Sequence, residues 1–178
     1  DIINIDSESI SFATGLIVIA AARAVNEGKS KEEILELVTS LKSRVGGIIA
    51  LPTLHFLAKS GRISHIKAFL GNILSLKPIL SIKDGELSMA GRTRTFPRAL
   101  NLMLDTVKKK FGDARMKVAV VHTNAQDLAR DYLERVKETL NYEETFIADL
   151  GPGLAVHGGP NMLGIVWMLT DEIKLEKG

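Results

Sequence analysis

"MKVAVVHTNAQDLARDYLERVKETLNYEETFIA", residues 116–148, decides the fold class. Met116 to Val121 is a short apolar run closing on His122, the pattern of a buried strand. A helix is expected from about Gln126 to Leu140 and a second strand from Thr145 to Ala148. Strand, helix and strand in series are the unit from which α/β sheets are built.

The glycine-rich stretch "GPGLAVHGGPNMLG" (151–164) reads as a loop and Gly164 to Leu169 as a last strand. Upstream, Thr95 with Pro97 in the first turn opens a helix. Its apolar stripe is Leu100, Met103, Leu104, Val107 and Phe111, and Lys108 to Lys110 sit where cations suit the helix dipole. Ile79 to Ser88 alternates and turns at Asp84-Gly85, which predicts a hairpin of two antiparallel strands. Ser64 is expected to open a helix covering Ile66 to Leu74. Pro52-Thr53 starts a short helix through Leu54 and Leu57 that stops at Gly61, after a strand from Ile48 to Leu51. Ser30-Lys-Glu-Glu33 is a capping box ahead of Ile34, Leu37, Val38 and Leu41 at helical spacing, and Gly46-Gly47 is read as the end of that helix. An earlier helix, capped by Ser9 or Ser11, runs to about Asn26 and stops at Gly28, and Ile2 to Ile5 reads as a buried strand. The chain therefore divides near Arg44 to Gly47. Residues 1–45 read as the end of an N-terminal parallel α/β domain and residues 46–178 as a mixed-sheet α+β domain. Because it opens inside an apparent strand, the chain is expected to be a piece of a longer protein.

The 178 residues are 46% hydrophobic and 25% charged, ordinary values for a globular chain. A net charge of +2 with six Phe, two Tyr and one Trp offers little for nucleic acid, so no nucleic-acid partner is expected. The absence of cysteine removes disulfides and thiolate chemistry and fits a cytoplasmic location. The four histidines lack metal-site spacing, so no metal is expected. The longest uncharged run, Ile10 to Ala22, is too short and too interrupted to span a bilayer.

Four features could carry chemistry. Asp6-Ser7, with Ser11 and Gly15 beyond, lies where a strand meets a helix, a place for ligands or for plain helix capping. Ser60-Gly61-Arg62-Ile63 exposes an arginine able to hold a carboxylate or phosphate, or simply solvated. Arg92-Thr93-Arg94-Thr95 feeds two arginines into a helix N-terminus, an anion-binding arrangement. The 151–164 stretch fits neither G-x-G-x-x-G nor a P-loop, because its third glycine comes late and no Lys-Ser/Thr follows. His157 within it is either a structural histidine or a donor to an anionic ligand. A rival reading makes His122 and His157 the acid and base of a small-molecule enzyme, and a third makes the domain purely structural.

Several stretches together resemble the DegV family of bacterial fatty-acid-binding proteins. They are Ile5-Asp6-Ser7 with Ser11 and Gly15, "GKSKEEI" (28–34), "LPTLHFLAKSGRI" (51–63), "LGNILSLKPILSIKDGEL" (70–87), "RTRTFPRAL" (92–100), His122 and "GPGLAVHGGPNMLG". The resemblance implies a DegV-like fold and a non-catalytic subunit without cofactor. Such a subunit buries a long-chain fatty acid and presents its carboxylate to a separate fatty acid kinase catalytic subunit, with transient membrane contact. By position, it implies His157 near the carboxylate and Arg62 and Arg94 at the head group or the kinase contact. Ser7 and Ser11 join them as ligand-binding candidates. The family's Thr-Ser and Ser-Ser motifs precede the matched stretch, and its His-x-Gly-Pro-Gly reads His157-Gly-Gly-Pro-Asn161 here.

Overall fold

In the computed structural model, which describes residues 2–62, 76–83 and 86–170, helices α1 (Ser11–Asn26) and α2 (Lys31–Lys42) come first. Then follow β1 (Val45–Ala50), α3 (His55–Lys59), β2 (Lys77–Lys83), β3 (Glu86–Thr93) and α4 (Phe96–Phe111). The chain continues through β4 (Met116–His122), α5 (Gln126–Thr139), β5 (Tyr142–Asp149), α6 (Pro152–Gly158) and β6 (Leu163–Leu169). The strands form one six-stranded mixed sheet in the order β3-β2-β1-β6-β4-β5. β4 and β5, the pair joined through α5, run parallel, and every other pair is antiparallel. The expected helix from Ser64 and the turn at Asp84-Gly85 lie outside the described residues.

Alternation along the strands sorts side chains into two cores. Ile48, Ala50, Val118, Val120, Leu163, Ile165 and Trp167 face α4 and α5. Ala119, Val121, Val166 and Met168, with Ile49 and Leu80, face α1, α2 and α3. Within the first layer the buried Tyr132 hydroxyl donates to the Leu100 carbonyl at 2.6 Å, tying α5 to α4, and burial pushes its phenol pKa up.

Several boundaries differ from the sequence reading. Gly46-Gly47 does not end α2, which stops at Lys42, but lies inside β1. A Cβ at Gly46 would stand 2.7 Å from the Trp167 ring paired across from it, so glycine here admits an indole and marks no turn. Ile2 to Ile5 joins no ladder among the described residues, and Ile2 is fully exposed. Alternating or continuous apolar residues make a strand only where a neighbour supplies hydrogen bonds. The Ser30–Glu33 capping box forms in both directions. By contrast, α1 starts at Ser11 without any side-chain cap.

α1 is pinned to the edge strand β5 by a charge cluster. Arg23 donates two 2.7 Å hydrogen bonds to the Glu144 carboxylate, and Lys117 lies 3.4 Å from Glu144 and 3.7 Å from Glu143. The hydrogen bond from Arg23 holds the Glu144 carboxyl down at about 2, and Lys117 adds to the effect. A folded-state pKa below the ordinary 4.5 stabilises the fold above that value, and the contribution disappears as pH falls toward about 2. Arg23 is nearly half exposed, so screening holds the contribution to about 1 kcal/mol or less. Glu144→Gln should lower stability by that amount at neutral pH, and urea titrations of the two proteins should converge as pH drops through this window.

Candidate functional site

Among the described residues, a cavity lies between the sheet and the segments of α1 and α3. On this sheet face the register lines up Leu87, Ile82, Gly47 and Val166 in one transverse row. One step along, Leu80, Ile49 and Val121 occupy the next row, with Gly164 between the last two. Both rows line this cavity, which continues past Leu51 to Leu57, Leu150, Leu154 and Met162. From Gly47 to Leu51 is four strand residues, about 13 Å of apolar floor. Gly47 contributes open space. A Cβ there would meet Val166 at 3.4 Å, an ordinary contact, so the missing side chain leaves room above the sheet.

Polar groups gather at the other end, beside the carboxyl ends of β1, β4 and β5. Ser11, Arg62 and His157 line the cavity there. Ser11 Oγ and His157 Nδ1 are buried with no hydrogen-bond partner among the described residues. A buried donor or acceptor left unpaired costs about 1–3 kcal/mol, so a polar group brought to this end of the chamber would find two groups to pair with. Ser11 also adopts a left-handed backbone (φ 60°) where the chain turns into α1, a strained conformation of the kind found at binding sites.

Arg62 arrives by a helix-ending motif. Gly61 takes φ 75°, and the Arg62 N–H donates back to the Leu57 carbonyl at 3.0 Å while its guanidinium donates to the Ser60 carbonyl. The glycine turn expected from the sequence thus delivers the arginine to the cavity. His157 arrives by a helix and not by the expected open loop. Pro152 presets the first turn of α6, Gly151 serves as N-cap, and the helix runs through His157 to Gly158. Reading every glycine as a loop signal missed a proline placed where helices begin.

The turn after α6 depends on Gly159. Its φ is 78°, and a Cβ there would stand 2.2 Å from the Phe56 ring of α3. Asn161 takes φ 60°, a left-handed backbone that asparagine adopts more readily than most residues. The turn is held by Thr123, which the sequence did not single out. Its buried hydroxyl donates to the Gly159 carbonyl at 2.5 Å and accepts from the Met162 N–H at 3.0 Å.

The remaining candidates lie elsewhere. Ser7 donates to the Ser9 carbonyl and pairs with the Thr14 hydroxyl at 3.0 Å, so its hydrogen bonds serve the start of α1. Arg94 is exposed between β3 and α4, away from the cavity lining. His122 is buried and sits 3.9 Å from Asp149. Alternation aims it at the same face as Val118 and Val120, across the sheet from His157. The structure therefore does not bring the two histidines together as an acid–base pair.

A family model described as the uncharacterised DegV family matches residues 1–170. The chain belongs to the DegV family. Two similar DegV domain-containing proteins come from Caldanaerobacter subterraneus subsp. tengcongensis, 32% identical, and Mycobacterium tuberculosis, 35% identical, each over 162 residues. Each match covers 90% of this chain and 58% of the relative, so this DegV chain spans under two thirds of those relatives' length. Among solved structures, a DegV protein from Thermus thermophilus described by its fatty acid binding is 29% identical, with a TM-score of 0.82. That match covers 93% of this chain and 60% of the other. A fatty-acid-binding DegV protein from Streptococcus agalactiae is 27% identical, with a TM-score of 0.81, over 95% and 60% of the two chains. The mixed α/β architecture with its six-stranded sheet is that of the DegV fold.

Gly159→Ala should destabilise this DegV chain by about 2–4 kcal/mol, the sum of overpacking against Phe56 and left-handed strain. In a Phe56→Ala background the same substitution should cost less by about 1–3 kcal/mol, because the clash with the ring is gone and backbone strain alone remains. Urea unfolding of the four proteins measures both values.

Proposed function

We propose that the protein binds a long-chain fatty acid, with the tail on the apolar sheet face and the carboxylate at the polar end of the cavity. The observation that carries the reading is the pairing of a continuous apolar floor with two buried polar atoms, Ser11 Oγ and His157 Nδ1, that have no hydrogen-bond partner among the described residues. Each methylene moved from water onto that floor contributes about 0.8 kcal/mol before ordering costs. The carboxylate accepts from the Ser11 hydroxyl and from the His157 imidazole, and Arg62 adds positive charge beside them. The fatty-acid-binding DegV proteins from Thermus thermophilus and Streptococcus agalactiae support the choice of ligand.

In this reading the protein is the non-catalytic acyl-binding subunit of a kinase system. It presents the carboxylate to a separate catalytic subunit for acyl-phosphate formation. Arg94, exposed and apart from the cavity, belongs to the partner contact. The location is cytoplasmic and the contact with membranes transient. Among the described residues no helix is long and apolar enough to cross a bilayer.

Native mass spectrometry of the full-length protein, purified without added lipid, should show a co-purified fatty acid. His157→Ala should cut phosphorylation of that fatty acid by the kinase at least tenfold, roughly the worth of one charge-assisted hydrogen bond, while the circular dichroism spectrum stays unchanged. Lipid-free protein, or wild-type turnover in the variant, overturns the assignment. Gly47→Leu should fill the apolar end, so that calorimetric titration shows long chains losing affinity and shorter ones keeping it.

A further inference from the structure

Thr123 does not line the cavity, yet it makes four hydrogen bonds to the turn that follows His157. Its N–H donates to the Met162 carbonyl at 3.1 Å, and its carbonyl accepts from the Asn161 N–H at 2.7 Å. Its hydroxyl bridges the Gly159 carbonyl and the Met162 N–H, as described above. The other end of α6 is tied to the same place, because the Leu150 N–H donates to the His122 carbonyl at 2.7 Å. α6 has only seven residues and carries His157 on its last turn. Both ends of this short helix are therefore moored to two consecutive residues at the carboxyl end of β4.

Resting on the fatty-acid reading of His157, we propose that Thr123 is the positioning residue for that imidazole. Its hydroxyl sets where α6 ends and hence where the ring stands relative to the ligand carboxylate. A backbone tie alone would hold the turn to the strand, but the Gly159 carbonyl and the Met162 N–H meet only through the side chain. Valine has the shape of threonine and lacks both the donor and the acceptor, so it frees those groups without opening a cavity. Serine restores both.

The test uses the full-length protein with ¹³C-labelled histidine, and oleate as the probe. In ligand-free protein the ring ¹H–¹³C correlation of His157, assigned by its loss in His157→Ala, should move in Thr123→Val and return in Thr123→Ser. Oleate affinity should fall about tenfold or more in Thr123→Val, the equivalent of one lost buried hydrogen bond, and recover with serine. In a His157→Ala background Thr123→Val should cause no further loss. An unmoved ring correlation, or an equal loss of affinity in both backgrounds, overturns the proposal. Should His157→Ala leave oleate affinity intact, the carboxylate role of His157 fails. The ring correlation then decides on Thr123 by itself, movement supporting the positioning role and its absence overturning it. If the valine variant does not fold, Thr123→Cys, with a weaker donor and similar volume, is measured in its place against the same outcomes.

Discussion

The antiparallel pairing of β1 with β6 governs this molecule. The two strands occupy the middle of the sheet, and β6 is buried at every position. Their register settles which residues face each helical layer, and a slip of one residue would exchange the two sets. That register also requires small residues where the strands crowd their neighbours. Gly46 admits the Trp167 ring on one face. On the other, a Cβ at Gly164 would stand 2.6 Å from Ile49 Cγ2. The same face has a further glycine, Gly47, where nothing presses in, and there the absence of a side chain becomes space.

That difference explains how one sheet supports two unlike layers. The face under α4 and α5 is packed by large side chains such as Met103, Tyr132 and Trp167. The opposite face keeps a chamber whose floor is apolar and whose polar groups all come from segments beyond the strand ends. Ser11 precedes the body of α1, Arg62 follows α3, and His157 closes α6. The sheet supplies a fixed surface, and short connecting elements aim the chemistry, the usual division of labour in α/β architectures.

Local signals in the chain were legible where one residue type has one structural use. The Ser30–Glu33 box, the stop at Gly61, Pro97 in the first turn of α4 and the strand-helix-strand unit at 116–148 all appear in the fold. Two misreadings concern glycine and proline in roles that depend on distant partners, and the apolar run Ile2 to Ile5 lacked a neighbouring strand among the described residues. Gly46 needs Trp167, some 120 positions away, to make sense, and no window around residue 46 contains it. Pro152 begins α6, a helix that packs against α3, which lies far earlier in the chain. For the site, Ser11, Arg62 and His157 are brought to one cavity, but Ser7 and Arg94 are not. Thr123 was invisible because a buried threonine carries no sequence mark. Its importance comes from the loop it meets 36 to 39 residues later.

Trp167 has one more consequence. It is the single tryptophan of the chain, it is buried against Phe111, and the Lys110 ammonium lies 5.6 Å from its ring. It stands on the face turned away from the chamber, with the sheet between. Its fluorescence is therefore an optical gauge of the α4 and α5 layer and is shielded from whatever fills the other side. The chain thus carries its one indole on the side of the sheet opposite the chamber, where it reports on packing of that layer.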